Sequence, residues 1–91
     1  MAERRKTDDI PGLSEKAIRL DGPEFDGGIV GTYENEDGEV CLVYGYDRLT
    51  EALCKAWGMD EDEVQEVIEY NTIRSLPYMG RFRPIIMKEV F

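Results

Sequence analysis

Catalysis requires side chains that carry protons, attack bonds or hold ions, and this 91-residue chain has no histidine among them. That removes the usual general base, the Ser-His and Cys-His nucleophile pairs and the commonest transition-metal ligand, so most hydrolase mechanisms are disfavoured. Two cysteines, Cys41 and Cys54, are too few and too far apart for a disulfide framework or a zinc knuckle, and read as small apolar residues. The carboxylates are plentiful but badly placed for a hard cation. Four in succession, Asp60 to Glu63, splay around a helix instead of converging, and Asn35-Glu36-Asp37-Gly38 is too short for an EF-hand loop. Gly27-Gly28-Ile29-Val30-Gly31 precedes a strand instead of opening a helix, which excludes a phosphate-binding glycine loop. No catalytic residue, metal or cofactor is expected.

Binding is the better-supported chemistry, and charge says of what kind. The net charge is −9, unevenly spread. Residues 1–20 carry five basic and four acidic side chains, residues 21–70 two basic and fifteen acidic, and residues 71–91 four basic and one acidic. The acidic centre repels nucleic acid and anionic membranes and attracts a basic protein surface with fast, salt-sensitive association. The expected contact set has two acidic faces, Glu34, Glu36 and Asp37, then Asp60, Glu61, Asp62, Glu66 and Glu69, joined by Tyr70, Asn71, Arg74 and Tyr78. Tyrosine and arginine are enriched where proteins meet. Asn71 has three readings, a buried amide tying its helix to the segment after Pro77, an exposed contact beside Arg74 and Tyr78, or a catalytic role.

These residues must be positioned by a small α+β domain, since one core is all that a chain of this length supports. Residues 1–12 read as a mobile arm, with mixed charge and a Pro11-Gly12 break, and residues 13–91 as a single domain. After Leu13 the signals conflict, Ser14 suiting a short helical turn with Ala17 and Ile18 inward, and Ile18-Arg19-Leu20 alternating like a strand. A hairpin follows, because two β-favouring runs, 29–34 and 39–44, flank Asn35-Glu36-Asp37-Gly38. Pairing Glu34 with Glu39 puts Tyr33 opposite Val40, Gly31 opposite Leu42 and Ile29 opposite Tyr44, and the second strand, apolar on both faces, is expected at the sheet centre.

Asp47 is expected to cap a helix reaching Trp57, with Leu49, Ala52, Leu53, Ala56 and Trp57 on one stripe and Gly58 ending it. Asp60-x-x-Glu63 then starts a second helix at a steep angle to the first, with Val64, Val67, Ile68 and Asn71 inward and Tyr70 and Ile73 to the flank and rear. The pair has helix-turn-helix proportions, but the acids at its leading positions carry the wrong sign to face phosphates, so nucleic-acid binding there is disfavoured. Pro84-Ile85-Ile86-Met87 is read as a third strand completing an antiparallel-type sheet in the order ββααβ. The charged N-terminus lacks the apolar core of a secretory signal, and a cytoplasmic location is the expectation.

Val43-Tyr44-Gly45-Tyr46-Asp47-Arg48-Leu49, Gly58 to Glu63, Tyr70-Asn71-Thr72-Ile73-Arg74, Pro77-Tyr78-Met79-Gly80 and Pro84 to Met87 together resemble a family of small acidic proteins encoded by bacteriophages and prophages. The resemblance spans residues 26–88, and Gly45 departs from it by standing where an acidic residue is expected. It implies a phage accessory protein. By analogy with anti-CRISPR proteins of the DNA-mimic type, such a chain is expected to inhibit a basic nucleic-acid-binding host defence protein, or to occupy another basic host or phage protein. The alternatives are a homo-oligomeric structural or regulatory module of a phage assembly and a small carboxylate-dependent enzyme.

Overall fold

A computed structural model describes residues 10–20 and 22–88, so residues 1–9 of the expected arm lie outside the described residues. Two strands, β1 (Ile29–Glu34) and β2 (Val40–Gly45), form the hairpin, followed by helices α1 (Tyr46–Trp57) and α2 (Glu61–Val67) and strand β3 (Ile85–Met87). A 3-10 helix, Pro23–Gly28, precedes β1. The class is α+β, and β2 lies at the centre of a sheet ordered β1-β2-β3.

The hairpin register is one residue away from the expected one at its tip. Glu34 pairs with Val40 and Tyr33 with Cys41, because Asn35 and Glu39 close the loop and leave three residues between them instead of four. Asn35 and Glu39 still pair, the Asn35 amide donating to the Glu39 carbonyl at 2.9 Å, and Gly38 donates back to Asn35 at 3.0 Å. Gly38 sits at φ +76°, so the loop is a type I turn followed by a left-handed residue. The side-chain carbonyl of Asn35 accepts from the amides of Asp37 and Glu39, which fixes this three-residue loop against the expected four-residue one. A bulge between Ile29 and Gly31 cancels the offset, and Ile29 meets Tyr44 as the alternation predicts.

The expected all-antiparallel sheet is also corrected, since β3 runs parallel to β2, with Val43 beside Ile85 and Gly45 beside Met87. Reading two helices between the strands leaves out a third leg of the connection. The helical path continues beyond α2 through a π-helix, Ile68–Ile73, and two 3-10 turns, Leu76–Tyr78 and Gly80–Phe82. That leg returns the chain to the hairpin tip, where Asn35 Nδ2 donates to the Arg81 carbonyl at 3.0 Å and the Tyr33 hydroxyl to the Arg83 carbonyl at 2.5 Å. A strand that starts beside the tip must run with β2, the crossover geometry that parallel pairing requires.

The core gathers Leu20, Leu42, Tyr44, Tyr46, Leu49, Leu53, Val64 and Ile68. In α1 the buried residues are Tyr46, Leu49, Thr50 and Leu53, a stripe one turn earlier than expected, and Ala56 is exposed. Gly45, not Asp47, is the N-cap, which places Asp47 in the first turn. A side chain at Gly45 would meet Val30 Cγ1 at 2.8 Å, so the acidic residue expected there does not fit. Gly58, at φ +65°, ends α1 as predicted, and Asp60 caps α2 by accepting from the Glu63 amide at 2.9 Å. Residues 14–17 make one turn, with the Ala17 amide donating to the Ser14 carbonyl, and the chain then extends so that the Leu20 amide donates to the buried Tyr44 hydroxyl.

Candidate functional surface

The π-helix decides which residues reach solvent. An i→i+5 turn is wider than an α-turn and shifts every side chain after it around the axis. Continuing the α-helical stripe from Val64 and Ile68 would bury Asn71, but in the wider turn Ile73 follows Ile68 onto the core and Asn71 is exposed. The clasp to the segment after Pro77 is therefore made by Asn35 and Tyr33, and the buried reading of Asn71 is corrected. Its backbone carbonyl accepts from the Ser75 hydroxyl.

Tyr70, Asn71 and Arg74 lie together on this stretch. Tyr70 is 59% exposed, with the Arg74 guanidinium 5.0 Å from its ring centre. Tyr78 follows on the next 3-10 turn at 89% exposure, too open to be a core residue. Asp60, Glu61, Asp62, Glu66 and Glu69 are all exposed, with Glu63 among them, and no basic residue stands between Gly58 and Ile73. Glu69 is 3.8 Å from Lys88, which also lies 4.8 Å from the Tyr46 ring centre. Burial pushes the Tyr46 phenol up, and the Glu69 and Asp47 carboxylates add to the effect. Beneath the helix start, burial raises the Cys54 thiol above its ordinary value, with Glu61 and Asp60 reinforcing it.

The other expected acidic face has a different character. Glu34 and Glu36 line a cavity of about 190 Å³ with Tyr33, Asn35, Arg81 and Arg83. Asp37 is 3.3 Å from the Arg81 guanidinium. The hairpin tip is thus a mixed-charge patch held to the basic segment, and the acidic run with no basic residue within it is on α2.

A cleft of about 330 Å³ runs along the outside of α2, lined by Met59, Glu63, Glu66, Val67, Tyr70 and Asn71. Glu63, Glu66, Val67 and Tyr70 stand at i, i+3, i+4 and i+7, a second helical stripe beside the buried one. Met59, Glu63 and Val67 are absent from the expected contact set, although that spacing marks the latter two in the sequence. A second cleft of similar size also has Asn71 in its lining, with Leu20, Phe25, Thr72, Ser75 and Met79. Among the described residues no group of three or more carboxylates and thiols can hold a metal ion, and no helix is long and apolar enough to cross a membrane.

No family model, curated protein or solved structure matches this chain. The functional reading therefore rests on the surface itself.

Proposed function

We propose that this protein works by docking a basic protein surface against the outer face of α2 and the π-helix. The observation that carries the reading is the run of exposed carboxylates from Asp60 to Glu66 with no basic residue among them, set against a hairpin tip where Asp37 pairs with Arg81 and Glu34 and Glu36 line a cavity with Arg81 and Arg83. Desolvating such a face against anything but positive charge is costly, whereas opposite charge steers and speeds association. The resemblance to phage-encoded proteins suggests a nucleic-acid-binding host or phage protein as the partner, its phosphate-binding surface covered by carboxylates in the manner of a DNA mimic. Inhibition of a defence protein is the expected consequence, and no chemical step is required of this chain.

The test is competition against duplex DNA for a panel of basic nucleic-acid-binding host proteins, repeated at low and high salt. Displacement of DNA that weakens steeply with salt, and that Glu61→Gln/Asp62→Asn/Glu66→Gln reduces at least about tenfold, is the predicted outcome. Binding indifferent to both salt and charge removal contradicts it.

A second reading, self-association, is favoured by β3, an outer strand of the sheet that exposes Ile85 and Met87. A discrete oligomer on sizing chromatography without any partner would support it, and a monomer at all salt concentrations would remove it.

A further inference from the structure

The cleft outside α2 is built differently from a plain acidic patch. Its walls are the apolar surfaces of Met59 and Val67 and the ring of Tyr70, and its rim carries the carboxylates of Glu63 and Glu66, one helical turn apart. Asn71 also lines it and carries an amide oxygen that can accept a hydrogen bond. At about 330 Å³ it lies at the small end of ligand pockets, which begin at about 300 Å³, and suits one long side chain better than a cofactor.

We infer that this cleft is a receptor for a single arginine side chain of the basic partner, an inference that rests on the docking reading above. An arginine has the three properties the walls select for. Its aliphatic stem covers apolar surface while its head stays polar. Its planar guanidinium presents a fork of donors to carboxylates. Its face stacks on an aromatic ring more readily than an ammonium does. The ring of Tyr70 already takes a guanidinium from this chain, since Arg74 lies over it at 5.0 Å. An incoming arginine takes the other face of that ring and the two carboxylates, so Arg74 orients Tyr70 while competing mildly by charge. Two turns of helix thereby convert diffuse attraction into a register-fixing anchor of the kind found at interface hot spots.

The test uses the full chain and a hexa-arginine peptide, with hexalysine as the comparison, followed by isothermal titration. Three variants separate groove from charge. Glu63→Gln/Glu66→Gln removes the rim, Glu61→Gln/Asp62→Asn removes the same charge outside the groove, and Tyr70→Ala removes a wall without changing charge. The inference expects about a tenfold loss of hexa-arginine affinity for the rim variant, a loss of only about two- to threefold for the outside variant, and about a fivefold loss for Tyr70→Ala. Hexa-arginine should bind several-fold more tightly than hexalysine. Equal losses for the two charge variants, wild-type affinity in Tyr70→Ala, or equal affinity for both peptides would each overturn the arginine receptor while leaving the docking reading intact. Failure of the wild-type chain to bind hexa-arginine would overturn both.

Discussion

At the scale of single residues, the two asparagines exchange the roles that the sequence suggests for them. Asn71 sits at a core position of an ideal α-helix, and only the wider π-turn exposes it. Asn35 reads as a turn residue, yet it holds the turn together and also donates to the Arg81 carbonyl across 46 positions of chain. Asn35→Ala should therefore cost about 1 to 2 kcal/mol in urea unfolding, because it strands several backbone partners, and Asn71→Ala less than about 0.5 kcal/mol. The reverse ranking would restore the clasp to Asn71. The thiols and phenols make a second prediction. Burial is the first cause holding Tyr33, Tyr46, Cys41 and Cys54 above their ordinary values of 10.0 and 9.0, so the folded chain keeps protons that the unfolded chain releases. Stability from these groups is fully present below about pH 9 and is lost as pH rises through the higher folded values. The urea midpoint should stay level through neutral pH and fall above about pH 9, and a midpoint that rises there would contradict the assignment.

At the scale of elements, local signals were legible and long connections were not. Hairpin, both helices, their stop at Gly58, the Asp60 cap and the β3 segment follow from turn chemistry, capping and periodicity. The parallel direction of β3 does not, because it depends on the third helical leg, and nothing in residues 68–73 distinguishes a π-turn from an α-turn before tertiary packing chooses between Asn71 and Ile73 for the core. The glycines show the same division. Gly27-Gly28 and Gly31 look alike in the sequence, but a methyl at Gly28 would approach Leu49 Cα at 2.8 Å, whereas one at Gly31 meets nothing within 4 Å. Gly28→Ala should cost about 1 to 3 kcal/mol by forcing the 3-10 helix off α1, and Gly31→Ala should be neutral or stabilising by up to about 1 kcal/mol. Equal thermal midpoints for the two variants would argue against that close approach.

At the scale of the whole molecule, the division of charge along the chain becomes a division of surfaces. Of the basic residues after position 71, Arg81 and Arg83 lie at the hairpin tip, where Arg81 pairs with Asp37 and both line a cavity with Glu34 and Glu36, while Arg74 lies over Tyr70 and Lys88 beside Glu69. The exposed Arg81–Asp37 pair contributes little stability, on the order of 0 to 1 kcal/mol, but it distinguishes the tip from α2, whose carboxylates follow one another with no basic residue between them. Composition alone shows that the chain is acidic, and the fold shows that one of its two acidic faces lies beside arginines. The most direct test of the account is a titration of the isotopically labelled chain with hexa-arginine, followed residue by residue through amide chemical shifts. The account predicts saturable shifts confined to residues 59–71, with Glu63, Val67, Tyr70 and Asn71 largest and residues 34–37 unmoved. Shifts centred on the hairpin tip or on β3, with α2 unperturbed, would contradict it.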